Sequence, residues 1–384
     1  MAAPVPSSEN DVADAVADAL REGAKLAIVG GASKAAIGAP VEARPLPMTG
    51  LSGVVDYDPA ELVLTVLPGT LLSEVQGLVA SAGQMLAFEP FDHGPIFGQP
   101  VGNATIGGIV AAGVSGSQRI SSLAARDHLL GFRAVSGRVE VFCAGAKVVK
   151  NVTGYDLPKL AAGSWGRLFA MTELTLKVLP RPLETAHRIL RGLDDRQAIR
   201  AMSIAMGSQA DLAAAAHLPA DICGGASATI LRMQGFGPSV TARCGMLEAV
   251  LADFGSADIP SPEEAAMMWD GLRTLAPLGA GHPIWRINVA PSRAPDAVGP
   301  LRALGARWMF DWAGGLIWIA SDADPAIIRN AAAGAGGHAA LIRGDDALRS
   351  RTPAFHPPAP GLAALEARVR RAFDPSGVFE TGRF

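Results

Sequence analysis

One stretch of small residues, at positions 101–113, limits the folds open to this chain more than any other segment. It reads VGNATIGGIVAAG, and seven of its thirteen residues are glycine or alanine. Glycine at this density weakens an ordinary core, because it contributes no side-chain contacts and loses much conformational entropy on folding. We therefore predict that the backbone here lies against a flat ligand. A tight seam between packed helices is the alternative interpretation.

A second glycine-rich segment follows residues 25–29, whose apolar character predicts a strand. The segment consists of Gly30, Gly31, Ala32, Ser33 and Lys34. Glycines let a backbone approach a phosphate closely, and successive N–H groups can form a nest for an anion. The segment fits neither the GxGxxG fingerprint nor the Walker motif, so an ordinary strand-to-helix turn is the alternative to a phosphate-binding loop.

Strands, helices and glycine-rich turns alternate up to about residue 180, and this pattern indicates an α/β or α+β domain. The elements predicted there are helices at 11–22 and 71–82 and strands at 25–29, 53–57, 62–67 and 174–179. The last strand is closed by Pro180-Arg181-Pro182. We therefore place the first domain at residues 1–182.

The second predicted domain covers residues 183–343 and is rich in alanine. The elements predicted there are helices at 195–206 and 263–275 and strands at 228–233, 284–290 and 316–320. Helices on one side of a small antiparallel sheet fit this pattern. Residues 344–384 contain a predicted helix at 361–373 and a turn-rich tail, and we expect this segment to return to the first domain.

Composition argues against several classes of protein. The 384 residues carry a formal net charge of −3, and Lys and Arg do not cluster with aromatic residues, so nucleic-acid binding has little support. No apolar run approaches the roughly 20 residues of a membrane helix, and the acidic N-terminus does not resemble a secretory signal. We expect a cytoplasmic protein without a metal site, because no cluster of His, Asp and Glu has metal-ligand spacing. Its three cysteines are too scattered to hold an iron–sulfur cluster alone.

Taken in order, the glycine-rich segments resemble the FAD domain of the vanillyl-alcohol-oxidase family. Residues 30–33 match its pyrophosphate loop, and residues 105–108 match its second loop. Residues 150–166 and 172–182 closely resemble the FAD-binding subunits of bacterial glycolate oxidases, as do the tail residues 374–379 and Gly382-Arg383. The resemblance is dense over the first 180 residues and sparse beyond them.

The resemblance implies an α+β fold of the PCMH type, in which two subdomains enclose noncovalent FAD beneath a smaller α+β cap. His93, just before the second loop, is the nearest candidate for a covalent link. The residues that the resemblance implies for FAD binding are Gly30, Gly31, Ala32, Ser33, Lys34, Thr105, Gly107, Gly108, Lys150, Asn151, Gly154, Tyr155, Asp156 and Arg383. One departure lies in the tail, where Glu380 stands in place of the family's usual asparagine.

Oxidation of a 2-hydroxy acid by a flavin needs a cation for the carboxylate and a base for the hydroxyl proton. Arg286 is the predicted clamp, because the guanidinium fork matches a carboxylate and strand alternation places Ile284, Arg286 and Asn288 on one face. His338, which follows two glycines, is the predicted base. A surface arginine and an exposed loop histidine are the alternative interpretations.

We predict glycolate oxidation by a complex subunit. The family implies two partners, a larger FAD-containing subunit and an iron–sulfur subunit, and through them peripheral association with the inner membrane. Two other functions stay open. One alternative is a non-catalytic, FAD-carrying subunit of that complex. The other is a related D-2-hydroxy-acid dehydrogenase, such as one acting on D-lactate.

Overall fold

The computed structural model describes residues 5–145 and 155–384. The first part of the chain builds the glycine-loop domain. Its elements are α1 (Glu9–Glu22), β1 (Leu26–Val29), β2 (Arg44–Pro47), β3 (Val54–Asp58), β4 (Val63–Val66), α2 (Leu72–Ser81), β5 (Gln84–Met85), α3 (Ile106–Ala112), α4 (Arg119–Ser122), α5 (Ala125–His128), β6 (Leu129–Ser136), β7 (Val141–Gly145), α6 (Leu157–Ala161), β8 (Phe169–Lys177) and β9 (Leu179–Pro180).

Two sheets organise this domain. The strands β1 and β2 form a parallel pair, and an antiparallel sheet has the order β3-β4-β8-β6-β7. Helix α1 starts at a capping box, in which Ser8 and Asp11 bond each other's backbone, and it ends at Gly23 with φ 64°. Its apolar face, which includes Val12 and Val16, packs on β1 and β2, while α2 and α3 cover the larger sheet.

The second part of the chain forms one antiparallel sheet with flanking helices. Its elements are β10 (Glu184–Arg191), α7 (Asp195–Met206), β11 (Leu212–Leu218), α8 (Ala220–Cys223), β12 (Ala228–Gly235), α9 (Gly237–Val250), α10 (Pro262–Thr274), β13 (Ile284–Asn288), α11 (Ala294–Arg302), β14 (Arg307–Asp311), β15 (Leu316–Ala320), α12 (Pro325–Gly334) and β16 (His338–Arg343). The strand order is β10-β12-β11-β14-β15-β13-β16.

The two faces of this sheet meet different surroundings. The outer face, which carries Ile287 and Phe310, packs against α7, α9, α11 and α12. The inner face, which carries Ile284 and Trp318, packs against α10 and against residues of the glycine-loop domain, such as Ile37 and Ile96. The predicted arrangement was therefore wrong in two respects: the sheet has seven strands, and one helix lies on its other face.

The last segment contains α13 (Asp346–Arg351) and α14 (Pro360–Phe373). Beyond α14, Val378 and Phe379 are buried among residues of α1 and β1, and the Val378 carbonyl accepts a hydrogen bond from the Leu26 amide at 2.8 Å. The Asp374 carboxylate accepts bonds from the amides of Val378 and Phe379. The tail thus closes the far side of the glycine-loop domain.

Candidate functional site

The two glycine loops pack directly against each other. A side chain at Gly30 or Gly31 would overlap Thr105 or the carbonyl of Asn103, and a Cβ at Gly107 would lie 2.6 Å from Pro68. Gly30 and Gly31 therefore allow the two loops to touch, and Gly107 allows the second loop to lie against Pro68. Gly108 differs, because an added Cβ would meet only the Thr105 hydroxyl, at 3.3 Å.

A cavity lies between these loops. It is lined by Ile28, Val29, Gly30, Gly31, Ala32, Ser33, Lys34, Ala35, Met48, Pro68, Thr105, Gly107, Gly108, Ala111, Ala112, Trp165, Gly166, Phe169, Met171, Arg383 and Phe384. The lining is mostly apolar with a few polar groups, a character typical of a cofactor site.

Lys34 brings a positive charge to this cavity. Its Nζ donates to the Ser33 hydroxyl at 3.3 Å, and both side chains are largely buried. Burial lowers the pKa of the Lys34 ammonium to about 8, although the charge of Asp92 opposes the shift. A buried ammonium with one neutral partner is suited to an anionic ligand group, because such a group would restore the solvation that burial removed.

Arg383 lines the cavity but bonds to the first loop. Its guanidinium donates to the carbonyls of Lys34 at 2.6 Å, Ala35 at 2.9 Å and Ile37 at 2.7 Å. Burial, together with the charge of Arg349, lowers the pKa of Arg383 to about 10. In this arrangement Arg383 holds the loop in place, and its contact with a cofactor stays a prediction.

The tail carboxylate at Glu380 also has a structural partner. It lies 3.1 Å from Arg370 on α14 and 3.7 Å from Arg167. The departure from the family's asparagine is therefore accompanied by two arginines, and Glu380 is absent from the lining of the cavity in the described structure.

Asp92 fixes the segment that leads into the second loop. Its carboxylate accepts hydrogen bonds from the amides of Gly94 at 2.8 Å, Gly102 at 2.9 Å and Ala104 at 3.1 Å. Burial raises the pKa of this carboxyl, but the three amides and Lys34 outweigh burial and hold the pKa below its ordinary value. Residues 92–104 thus form a closed loop whose ends are held by one side chain.

Arg286 lies on the inner face of the seven-stranded sheet. Its Cζ is 5.2 Å from the ring centre of Trp312 and 6.0 Å from that of Trp318. Its Nε is buried without a hydrogen-bond partner, and no carboxylate of residues 5–145 or 155–384 forms an ion pair with it. Burial, followed by the charge of Arg119, lowers its pKa to about 10. The interpretation as a surface arginine is therefore wrong.

His338 starts the edge strand β16, opposite Asn288 on β13. Its side chain is exposed, and it does not line the cavity described above. Burial of part of the ring and the charges of Arg286 and His356 lower its pKa. The register places His338 on the same face as Arg286, two residue pairs farther along the strand.

A polar network that the sequence did not indicate joins the sheet to the glycine-loop domain. The fully buried Asp311 accepts hydrogen bonds from the Ser117 hydroxyl at 2.8 Å and from the Trp312 amide at 2.7 Å. The Trp312 indole donates to the Gly116 carbonyl at 3.0 Å. Burial raises the pKa of Asp311 to about 7. The network holds Trp312, and therefore the ring beside Arg286, against the first domain.

Comparison with known proteins identifies the family. Residues 2–142 match a family model described as an FAD binding domain. The glycolate oxidase subunit GlcE of Escherichia coli strain K12 is 34% identical over 370 residues, which cover 96% of this chain and 95% of that protein. The chain belongs to the GlcE family.

Other relatives of this GlcE-family chain match over a smaller share. The D-lactate dehydrogenase of Anaerostipes hadrus is 34% identical over 42% of this chain and 31% of its own length. The glycolate oxidase subunit GlcD of Bacillus subtilis strain 168 is 29% identical over 36% of this chain and 28% of its own length.

Solved structures confirm the predicted α+β fold of the PCMH type. A substrate-bound p-cresol methylhydroxylase superposes with a TM-score of 0.75 over 99% of this chain and 87% of its own, at 14% identity. An alkyldihydroxyacetonephosphate synthase superposes with a TM-score of 0.68 over 97% of this chain and 75% of its own, at 16% identity.

The residues present in the GlcE-family chain fit FAD, which is the cofactor of this fold. The cavity between the loops is mostly apolar, Lys34 supplies a charge for a diphosphate, and Gly108 leaves backbone open to the cavity. The predicted binding residues Gly30, Gly31, Ala32, Ser33, Lys34, Thr105, Gly107, Gly108 and Arg383 all line this cavity.

Two other predicted residues, Tyr155 and Asp156, do not line this cavity. Tyr155 is 91% exposed, and Asp156 caps the short helix α6 by accepting from the Lys159 amide. Lys150, Asn151 and Gly154 lie outside the described residues. Roles for these five in FAD binding stay predictions.

Two further searches covered residues 5–145 and 155–384. No helix there is long and apolar enough to cross a membrane. Within the same residues, His, Cys, Asp and Glu side chains do not form a group that could hold a metal ion.

Proposed function

We propose that this chain is the FAD-binding subunit of a glycolate oxidase and acts in the oxidation of a 2-hydroxy acid. Its relatives support the substrate class, because they include GlcE, GlcD and D-lactate dehydrogenases. The observation that carries the proposal is Arg286 on the inner face of the sheet, where its buried Nε has no hydrogen-bond partner.

The first loop and the second loop would hold FAD, with the Lys34 ammonium beside its diphosphate. When bound, FAD supplies the oxidant that accepts a hydride from the substrate. The described side chains that line the cavity include no His, Cys or Tyr, which supports noncovalent binding. Trp165 and Phe384 lie in the cavity wall with ring centres 5.0 Å apart, and they exclude water from the side next to the sheet.

Arg286 is the proposed clamp for the substrate carboxylate. A buried guanidinium without a carboxylate partner is costly, and a bound carboxylate would remove that cost by a bidentate pair. The rings of Trp312 and Trp318 lie beside the Arg286 guanidinium and fix its direction. His338 stays the base that the sequence predicts, at the edge of the same face.

The partners follow from the family. The names of the two relatives GlcE and GlcD describe subunits of one kind of oxidase. We propose that this chain assembles with a larger FAD-containing subunit and with an iron–sulfur subunit. We also propose that the complex lies in the cytoplasm, where it associates peripherally with the inner membrane.

The test is an absorption spectrum of the purified full-length chain reconstituted with FAD, recorded before and after anaerobic glycolate. We expect a flavin spectrum that glycolate bleaches, and we expect D-lactate to be the slower substrate. Bleaching by D-lactate alone would favour the D-2-hydroxy-acid dehydrogenase. A yellow protein that neither acid bleaches, alone or with its partner subunits, would favour a non-catalytic FAD carrier.

A further inference from the structure

His93 occupies a position that the proposed function leaves unexplained. Its ring is fully buried and stacks on Phe91, with ring centres 4.6 Å apart and planes 7° apart. The Nδ1 atom is buried and has no hydrogen-bond partner. A buried ring nitrogen without a partner costs free energy, so such an atom calls for a ligand or a function.

The loop around His93 is held from two sides. On one side, the Asp92 carboxylate binds three amides of residues 94–104. On the other side, Arg343 of the edge strand β16 donates to the Ile96 carbonyl at 2.9 Å. His93 is therefore a preorganised side chain at the junction between the glycine-loop domain and the inner face of the sheet.

His93 is close enough to Lys34 and Arg286 for both charges to act on its ring, and its neighbours Phe91 and Ile96 belong to the apolar cluster that contains Trp312 and Trp318. Burial lowers the pKa of its imidazole well below the ordinary value, and the charges of Lys34 and Arg286 lower it further, although the Phe91 carbonyl acts in the opposite direction. Lys34 lies in the first loop and Arg286 lies on β13, so the two charges that act on the His93 ring come from different parts of the fold. Asp92 is the acidic group on its own loop, and its charge is directed to backbone amides.

We propose that His93 is the general base that accepts the hydroxyl proton of the 2-hydroxy acid bound by Arg286. This assignment rests on the proposed function. The O–H bond breaks and its proton goes to Nδ1 of the neutral imidazole, while the Cα–H bond breaks as a hydride that goes to the oxidant supplied by FAD. The C–O bond then becomes the carbonyl of the 2-oxo acid.

His93 suits this role better than the sequence-predicted His338. The base must be neutral in the resting enzyme and must be shielded from water, so that it takes its proton from the substrate. His93 is buried beside both cations, whereas the side chain of His338 is exposed at the sheet edge. Substitution of His93 should therefore slow flavin reduction, whereas substitution of His338 should not.

The test compares His93→Gln, His338→Gln and His217→Gln in the FAD-loaded full-length chain with its partner subunits. His217 is the matched control, because it is equally buried but bonds Thr229 and lies on the helix-covered outer face beside Phe310. Anaerobic stopped-flow gives the rate of flavin reduction by glycolate, and spectral perturbation gives the affinity for oxalate, an unreactive dicarboxylate.

We expect His93→Gln to slow flavin reduction by about 10²–10⁴-fold, with oxalate and FAD affinities changed by less than about threefold. The residual rate of the variant should rise with pH, since hydroxide replaces the base. Added imidazole should restore reduction to His93→Gly, which a merely structural role would not allow. His217→Gln should reduce at about the wild-type rate.

Four results would overturn the assignment. The first is reduction of His93→Gln as fast as wild type, which leaves the proposed function standing. The second is loss of reduction in His338→Gln alone. The third is flavin that stays with the acid-precipitated wild-type chain but not with His93→Gln, because that would make His93 a covalent link. The fourth is a wild type that no 2-hydroxy acid reduces, which removes the proposed function as well.

Discussion

The two faces of the seven-stranded sheet are built from different chemistry. On the outer face, Ile287, Trp308, Phe310 and Ile317 pack against four helices in a continuous apolar cluster. On the inner face, apolar residues are interrupted by charged groups at Arg232, Arg286 and Asp311. The same strands supply both faces, because successive side chains point to opposite sides.

The difference between the two faces indicates that the outer face mainly stabilises the sheet and the inner face carries the proposed function. An apolar face against helices needs only close packing, whereas buried charges reduce stability unless another group compensates them. Arg232 has such a partner, since it lies 2.8 Å from the Glu89 carboxylate of the first domain. Arg286 lacks one among the described residues, so its retention on this face points to a ligand.

The largest expected effect is on the outer face. Phe310→Ala should lower the free energy of unfolding by about 3–5 kcal/mol, because it leaves a cavity in a packed cluster. The fraction that stays folded should still be reduced by glycolate at the wild-type rate. Urea titration followed by far-UV circular dichroism measures the first quantity and stopped-flow measures the second. A slower reduction in folded protein would mean that the two faces are coupled.

The matching substitution on the inner face is Arg286→Met, which keeps the length of the side chain and removes its charge. We expect flavin reduction by glycolate to fall by about 10²–10³-fold, or about 3–4 kcal/mol, because the substrate carboxylate loses its partner. The free energy of unfolding should stay equal or rise, since an unpaired buried charge is removed. A destabilised variant with normal reduction would contradict the separation of the two faces.

The pH dependence of the free energy of unfolding tests the outer face at His217. Burial lowers the pKa of His217 to about 4, from an ordinary value of 6.5. Between pH 6.5 and 4, His217 binds a proton in the unfolded state but not in the folded state. The free energy of unfolding therefore falls as the pH falls through this range, by roughly 3 kcal/mol for this group. His217→Gln should remove that part of the slope, measured as the difference between urea titrations of the two proteins. Parallel slopes would show that His217 is not neutral in the fold.

The smallest expected effect concerns the cavity itself. Lys34→Met should raise the dissociation constant of FAD by about 10–100-fold at pH 7, because it removes a charge-assisted bond. In the wild type the affinity should fall as the pH rises above about 8, where the ammonium loses its proton, and in the variant it should be flat. Fluorescence titration with FAD measures both. An equal pH dependence in the two proteins would remove Lys34 from the diphosphate site.

Sequence patterns predicted the first domain well because its local signals are strong. Helix α1 has a capping box and a glycine stop, and the predicted strand at 62–67 and helix at 71–82 differ from β4 and α2 by one residue at each end. A cavity lies between the two small-residue loops that the sequence singled out. Their glycines, however, serve mainly the contact between the two loops, which no single-segment pattern can reveal.

The sheet was harder to predict. Strand β11, with the sequence LAAAAHL, has the composition of a helix and no alternation, because both its faces are buried in the centre of the sheet. His93 was considered only as a flavin link, since its burial and its two cationic neighbours come from contacts between distant segments. The local signal that could have pointed to it is the segment FDHGP at residues 91–95, just before the second loop.

The three bonds from Arg383 to the first loop have a consequence for synthesis of the protein. The donor lies 349 positions after Lys34, so the loop proposed for the diphosphate lacks these three bonds while the intervening chain is still being translated. The whole sheet must be made, and the tail must return to α1, before they can form. We therefore expect flavin uptake to be a late event, and a nascent chain stalled before residue 383 should not retain the cofactor.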